Sequence, residues 1–348
     1  MGAALNILLL GGGVFLGRAL LDAALARGHA VTVFNRGKAR RDWPHGVQVL
    51  TGDRRGDLAA LGRGRWDAVI DTCGYCPADV EPTARALAGF ARYLFVSSIS
   101  AYASLATPRL DESAPLAPAD GLAADAAVTA QNYGPLKAES ERVLSRLLGA
   151  RLIVVRPGLI VGSGDPSGRF SYWPWRAAAG GTMLVPDAPA ARLQFIDAFD
   201  LARWMVTLLE DGATGAFNAT GPADGKPLGW AELIAACREG ARAIGRSPAE
   251  PVAVAESVLT AQDVAPWTGL PLWVAAGDAE TAGLMAVDIS RAIAHGLRTR
   301  PLGDTVRAVL AEPLPAAGDA RLAGRLAPQR EAELIALATA AGAAIAQG

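Results

Sequence analysis

Cysteine and histidine are scarce in this chain of 348 residues, and charge of neither sign is in surplus. Three cysteines cannot build a disulfide framework at this length, which points to a reducing compartment, the cytoplasm. The three histidines, His29, His45 and His295, lie far apart without ligand-like spacing, so no metal is expected. Lys and Arg total 33 against 34 Asp and Glu. That balance offers no global attraction for nucleic acid or an anionic membrane, and leaves any basic site local. The apolar run from Met1 to Leu10 lacks a basic leader and a cleavage site, and reads as a first strand. The Ala-rich stretch from Leu334 to Ala346, behind Glu331 and Glu333, is too short to span a bilayer and reads as a docked or surface helix.

Apolar content is ample: 51% of the residues are hydrophobic, enough for one large domain or two intimate lobes. Short aliphatic runs at Asn6 to Leu10, Ala30 to Phe34, Val47 to Leu50, Ala68 to Ile70, Tyr93 to Val96 and Arg151 to Val155 alternate with helical patterns at Leu16 to Ala26, Val80 to Gly89 and Gln131 to Leu148. This alternation predicts an α/β fold, a doubly wound parallel sheet of Rossmann type with a smaller C-terminal substrate lobe. The dinucleotide-binding domain is expected at 1–157, with 195–219 returning to it through a helix near Leu201 to Leu209 and a strand near Ala216 to Asn218. Residues 158–194 and 220–348 are left for the substrate lobe. The stretch from Ala101 to Ala130, with Pro108, Pro115 and Pro118, reads as a loop able to move.

Directly after the first strand comes Gly11, Gly12, Gly13, Val14, Phe15, Leu16, Gly17, and then a helix. Glycines at a strand-to-helix turn let backbone amides approach a pyrophosphate at the helix N-terminus, although an ordinary glycine turn has the same look. An acid that would bond the adenosine ribose is expected about 20 residues further on. Asn35 stands there instead, followed by Arg36, Lys38, Arg40 and Arg41. Cations suit a 2′-phosphate that a carboxylate would repel, so NADP(H) is expected over NAD(H), with Arg36 as its main ligand. Arg40 and Arg41 read equally well as a solvated loop.

The glycine pattern resembles the TGxxGxxG signature of the extended short-chain dehydrogenase/reductases, the NAD-dependent epimerase/dehydratase family. Gly11 and Gly17 match its outer glycines, while Val14 replaces the middle one and Leu10 the threonine. In that family a Gly-Asp pair like Gly52 and Asp53 lies by the adenine, although Asp53 could equally cap the next helix. Arg54 beside it counts with the cofactor-binding residues. Small residues after the fourth strand, here Thr72, Cys73 and Gly74, pass the cofactor ribose by the same resemblance. Cys73 and Cys76 also have the spacing of a redox pair, the less favoured reading because nothing else in the chain is thioredoxin-like.

Ser97, Ser98, Ile99, Ser100, Ala101, Tyr102 follow the fifth strand and resemble the family segment whose Ser or Thr bonds the substrate oxygen. Aligning Tyr102 with the family's aromatic residue selects Ser98, with Ser97 and Ser100 as the nearest alternatives. Tyr133 and Lys137 then supply the YxxxK pattern, one helical turn apart, and Pro157 follows a further strand. A free phenol titrates near ~10, so Tyr133 needs a cation such as Lys137 to act as acid or base near neutrality. The resemblance also places Lys137 on the nicotinamide ribose, Pro157 by the cofactor, and dimerisation on the YxxxK helix.

The arginines that hold a nucleotide-sugar diphosphate in family members find no secure match. Leu193 takes one place with Arg192 a residue away, and Arg291 and Arg298 merely lie near the other. The second lobe is instead rich in aromatic residues, among them Trp173 and Trp175, which favour a small cyclic or aromatic carbonyl or alcohol substrate if they are not plain core. Three readings stand: a reductase or dehydrogenase that releases its cofactor, an epimerase or dehydratase that retains it, and a non-catalytic NADP-binding or RNA-binding relative. The Ser98, Tyr133 and Lys137 set weighs against the third.

Overall fold

The structure is a computed structural model and describes residues 3–38, 42–87, 89–226 and 228–345. Arg40, Arg41 and Ala346 lie outside the described residues. In chain order the first half forms β1 (Asn6–Leu10), α1 (Phe15–Ala26), β2 (Ala30–Asn35), β3 (Gln48–Thr51), α2 (Ala59–Gly62), β4 (Ala68–Asp71), α3 (Pro77–Ala86), β5 (Arg92–Val96), α4 (Tyr133–Leu148) and β6 (Leu152–Pro157). There follow β7 (Leu159–Val161), α5 (Tyr172–Ala178), β8 (Thr182–Asp187), β9 (Phe195–Asp197), α6 (Ala198–Glu210) and β10 (Gly215–Ala219). The chain ends through α7 (Trp230–Ala243), β11 (Glu250–Ala255), α8 (Glu256–Ala261), α9 (Ser290–Ala294), α10 (Leu302–Leu310) and α11 (Pro328–Ile345).

Two compact units result. The first comprises 1–160, 196–224 and 287–299; the second comprises 161–195, 225–286 and 300–348. In the first, seven parallel strands run in the order β10-β6-β5-β4-β1-β2-β3. Central strands such as β4 and β6 are buried along their whole length, as a sheet covered on both faces requires. One face carries α1 and α6 through Leu16, Leu20, Leu201 and Met205, and the other carries α3 and α4 through Val80, Ala84, Leu144 and Leu148.

Residues 287–299, expected in the substrate lobe, belong to the first unit. Phe217 of β10 packs edge-on against His295, the Arg291 guanidinium lies over the same ring, and the Trp204 indole donates to the His295 carbonyl at 2.9 Å. The 101–130 loop is tied down at residues 110, 116 and 117. Arg142 donates to the Leu116 and Ala117 carbonyls, and the Asn218 side chain donates to the Leu110 carbonyl.

In the second unit β8 and β11 pair in parallel. The segment around Trp173, Pro174 and Trp175, which reads as irregular in the sequence, is the helix α5. The C-terminal helix α11 is docked by Glu331, whose carboxylate takes the Arg176 guanidinium at 2.7 Å and the Leu184 amide at 2.8 Å. Among the described residues no helix is long and apolar enough to cross a membrane.

The sequence of the β1–α1 turn is dictated by contact. A Cβ on Gly17 would lie 2.7 Å from the Gly12 backbone nitrogen, so only glycine lets the first turn of α1 close onto the glycine loop. Gly17→Ala is expected to lower stability by about 1–3 kcal/mol through overpacking and to weaken nucleotide binding. Thermal unfolding with and without NADPH checks both effects.

Candidate active site

At the carboxyl ends of β1 to β4, within the first unit, lies a cleft of 440 Å³. Gly11, Gly13 and Val14 form one wall, and Asn35, Arg36 and Lys38 close the end beyond β2. Gly52, Asp53, Arg54 and Arg55 follow from β3, with Cys73, Tyr75 and Asp79 from the far side of β4. Glycine turn and cationic end thus share one cavity, whose glycine wall could hold a pyrophosphate at the first helix and whose far end presents Arg36.

Each expected cofactor residue has a definite place. Gly12, Leu16 and Gly17 are buried behind the turn, and Phe15 opens α1. The Asn35 side chain ties the cleft's end together, accepting from the Gly37 amide at 2.6 Å and facing the Gly11 carbonyl at 3.4 Å. Arg36 and Lys38 are exposed on the cleft wall. Asp53 accepts from the Arg55 amide in a local turn at 3.0 Å. It does not cap α2, whose first residue Ala59 donates its amide to Asp57 at 2.8 Å. The Thr72 hydroxyl donates to the Leu10 carbonyl at 2.9 Å, so it braces the glycine turn from behind. Pro157 is buried at the end of β6 beside Ala219.

Arg54 sits differently from a free phosphate ligand. Its guanidinium grips the buried Asp71 carboxylate at 2.9 and 2.7 Å, donates to the Asp79 carbonyl at 2.8 Å, and lies 3.3 Å from the Cys73 sulfur. Asp71 also accepts from the Tyr93 hydroxyl at 2.8 Å and the Cys73 amide at 3.1 Å. Burial alone would raise its pKa, but the Arg54 charge and these hydrogen bonds bring it below the ordinary carboxylate value. Burial and the Asp71 charge push the Cys73 thiol up to about 11, which leaves it a poor nucleophile and removes the support for a redox pair.

The candidate catalytic residues lie around the N-terminus of α4. Tyr133 is its first residue, and a Cβ on the next, Gly134, would lie 2.1 Å from the Ser100 carbonyl. Glycine there lets the helix end abut the turn Ile99–Ala101, for which Ser98 is the cap, its hydroxyl accepting from the Ser100 amide at 3.1 Å. Lys137, one turn along, is 2% exposed, and its ammonium donates to the Gly74 carbonyl at 2.7 Å and the Val96 carbonyl at 2.8 Å. The Tyr133 ring centre is 5.9 Å from that nitrogen. Desolvation pulls the Lys137 pKa down to about 8, against the attraction of Asp71.

Ser97, the nearest alternative to Ser98, is committed elsewhere: its hydroxyl donates to the buried Glu141. Glu141 also receives the Arg156 guanidinium at 2.7 Å, and Arg156 reaches the Tyr102 hydroxyl at 3.0 Å. Asp71, Tyr75, Glu141 and Arg156 were given no role by the motifs, since none belongs to a spacing pattern. The one sequence signal was a carboxylate ending the otherwise apolar run Ala68 to Ile70.

The second unit holds the two tryptophans expected to meet substrate. Trp173 has no exposed surface, packs against Trp230 with ring centres 4.8 Å apart, and donates to the Pro271 carbonyl, so it is core. Trp175 is also buried, under the Arg321 guanidinium. Arg192 is exposed while Leu193 is buried. No cluster of three or more potential metal ligands occurs among the described residues.

Asp71→Asn is expected to cost about 3–5 kcal/mol, because it leaves the Arg54 charge buried without its partner. Urea denaturation at neutral pH checks this. The contribution of the pair is complete above the unfolded carboxylate's ~4 and is lost as pH falls through the lower folded value, so wild type and variant converge in acid.

The model of the NAD dependent epimerase/dehydratase family matches residues 7–219. 2'-Dehydrokanamycin reductase of Streptomyces kanamyceticus is 30% identical over 261 residues, 72% of this chain and 69% of that one. Among solved structures, the Bordetella bronchiseptica enzyme WbmG in complex with NAD superposes with a TM-score of 0.62 at 21% identity, covering 89% of this chain and 94% of that one. Human epimerase family protein SDR39U1 (isoform 2) with NADPH gives 0.56 at 21% identity, covering 88% and 100%. The chain belongs to the NAD dependent epimerase/dehydratase family and is an NAD(P)-dependent enzyme of the short-chain dehydrogenase/reductase type.

Proposed function

We propose that this enzyme is an NADP(H)-dependent oxidoreductase acting between a carbonyl and an alcohol of a small substrate, with Tyr133 as its acid and base. The observation that carries the reading is the buried Lys137 ammonium one helical turn from Tyr133, facing its ring. Gly11, Gly13 and Val14 would hold the pyrophosphate, Arg36 and Lys38 the 2′-phosphate, and Lys137 a ribose hydroxyl. When bound, the nicotinamide supplies or accepts the hydride.

The chain's own groups handle the proton. In reduction the Tyr133 hydroxyl gives its proton to the substrate oxygen, and the neighbouring ammonium stabilises the phenolate left behind. Two of the three Lys137 N–H donors are held by the Gly74 and Val96 carbonyls, so the charge has a fixed position rather than a flexible stem. The Ser98 hydroxyl, oriented by the Ser100 amide, donates to the same substrate oxygen and aligns it.

Net reduction, rather than retained-cofactor chemistry, is supported by the relative named as a reductase. The preference for NADP(H) is supported by Asn35 at the place of an acid and by two exposed cations on the cleft wall. The three unpaired cysteines agree with a cytoplasmic location.

Tyr133→Phe is expected to retain NADPH binding, followed by nucleotide fluorescence, and to lose about 10²–10⁴-fold in turnover on a panel of ketones. Full turnover in that variant would end the assignment. Arg36→Ala is expected to weaken NADPH about tenfold, the size of one charge-assisted hydrogen bond, and to leave NADH unchanged. Equal losses for both nucleotides in parallel titrations would contradict the phosphate contact.

A further inference from the structure

Lys137 is one of three lysines in the chain, with Lys38 and Lys226, and the only one of them that is buried. Among the described residues no carboxylate forms an ion pair with it. Instead three aromatic rings surround its ammonium, with centres at 4.8 Å for Phe95, 5.1 Å for Tyr75 and 5.9 Å for Tyr133. All three fall within the range at which a ring face attracts a cation, an attraction that grows where water is excluded.

The three rings differ in what else they do. Phe95 lies wholly in the sheet core, and Tyr133, the first residue of α4, is the proposed acid and base. Tyr75 is 46% exposed, lines the cofactor cleft, and is held through its backbone, whose amide donates to Asp79 at 2.9 Å. Its phenol is a poor proton carrier, because burial and the nearby Cys73, Asp71 and Asp79 raise its pKa. What it brings to the site is a ring face.

We propose that Tyr75 is a positioning residue that, with Phe95 and Tyr133, forms a cage keeping the Lys137 ammonium charged and in place beside the reacting phenol. The inference rests on the acid–base reading of Tyr133 and Lys137, and it adds a residue to which the YxxxK motif assigns nothing. The other groups facing the ammonium act in both directions. Asp71 on β4, the Cys73 thiol and Glu141 on α4 favour its charge, whereas Arg54 after β3 and burial oppose it. The cage offsets part of that burial without adding a carboxylate, which would compete for the proton and bind the ammonium too tightly to leave a donor for the ribose.

The test is a carbon-13 NMR titration of the whole protein labelled at lysine Cε, with the Lys137 signal assigned by its loss in Lys137→Arg. Tyr75→Phe keeps the ring and is expected to titrate with wild type. Tyr75→Ala is expected to lose proton from Lys137 about half to one pH unit earlier, a three- to tenfold loss of proton affinity. The alkaline limb of kcat/KM should move in the same order. A ring that merely excludes water would act with the opposite sign, since its removal would raise the Lys137 value toward the ordinary lysine range. That rise, an unchanged value, or an equal shift in Tyr75→Phe overturns the cage. The ordered shift supports it even where Tyr133→Phe retains turnover, a result that would overturn the acid–base reading alone.

Discussion

A carboxylate with no solvent around it organises the floor of this site. Asp71 accepts two hydrogen bonds from Arg54, one from Tyr93 and one from the Cys73 amide, so its oxygens are saturated and its desolvation is offset. The loop leaving β4 has little freedom as a result. Its Gly74 carbonyl is placed to take the Lys137 ammonium, and Arg54 extends the constraint to the first turn of α3 through the Asp79 carbonyl. A cleft that orders a flexible dinucleotide benefits from walls that are already ordered.

A second buried network performs the matching task on the other side of Lys137. Glu141 lies one turn beyond the lysine on α4, and it joins Ser97, Arg156 and, through Arg156, Tyr102. The Tyr102 hydroxyl donates a hydrogen bond to the Asn218 side-chain oxygen at 2.6 Å, and the Asn218 backbone amide donates to Glu112 at 2.8 Å. The turn that carries Ser98 is therefore tied at one end to α4 through Ser97 and Glu141, and at the other to Arg156 and Asn218 through Tyr102. Two buried polar networks thus flank Lys137, one through the loop after β4 and one through α4 itself.

Much of this was legible in the chain, and the reasons are physical. Parallel strands buried on both faces read as aliphatic runs, and glycine at position 17 has no substitute where a helix meets a loop backbone. The two networks were not legible, because pairing between Arg54 and Asp71 or between Glu141 and Arg156 follows no period and depends on which strands become neighbours. Arg54, expected among the cofactor-binding residues, does line the cleft, and its ion pair with the buried Asp71 follows from no motif. The helix α5 was hidden by its own composition, since aromatic residues and Pro174 lower helix propensity while the packing of Trp173 against Trp230 overrides it. The family match ends at residue 219, and the sequence alone gave no sign that 287–299 complete the same unit.

That late return has a consequence for how the protein comes into being. On a ribosome the seven strands of the sheet are all available once β10 has been made, yet the face formed by Phe217 and Trp204 lacks its cover until His295 and its neighbours emerge. The 62 residues 225–286 of the other unit are synthesised in between, at a pace of about 5–20 residues per second. For several seconds the nascent nucleotide-binding unit carries an uncovered aromatic seam, which places its greatest exposure to misassembly at a defined point in translation.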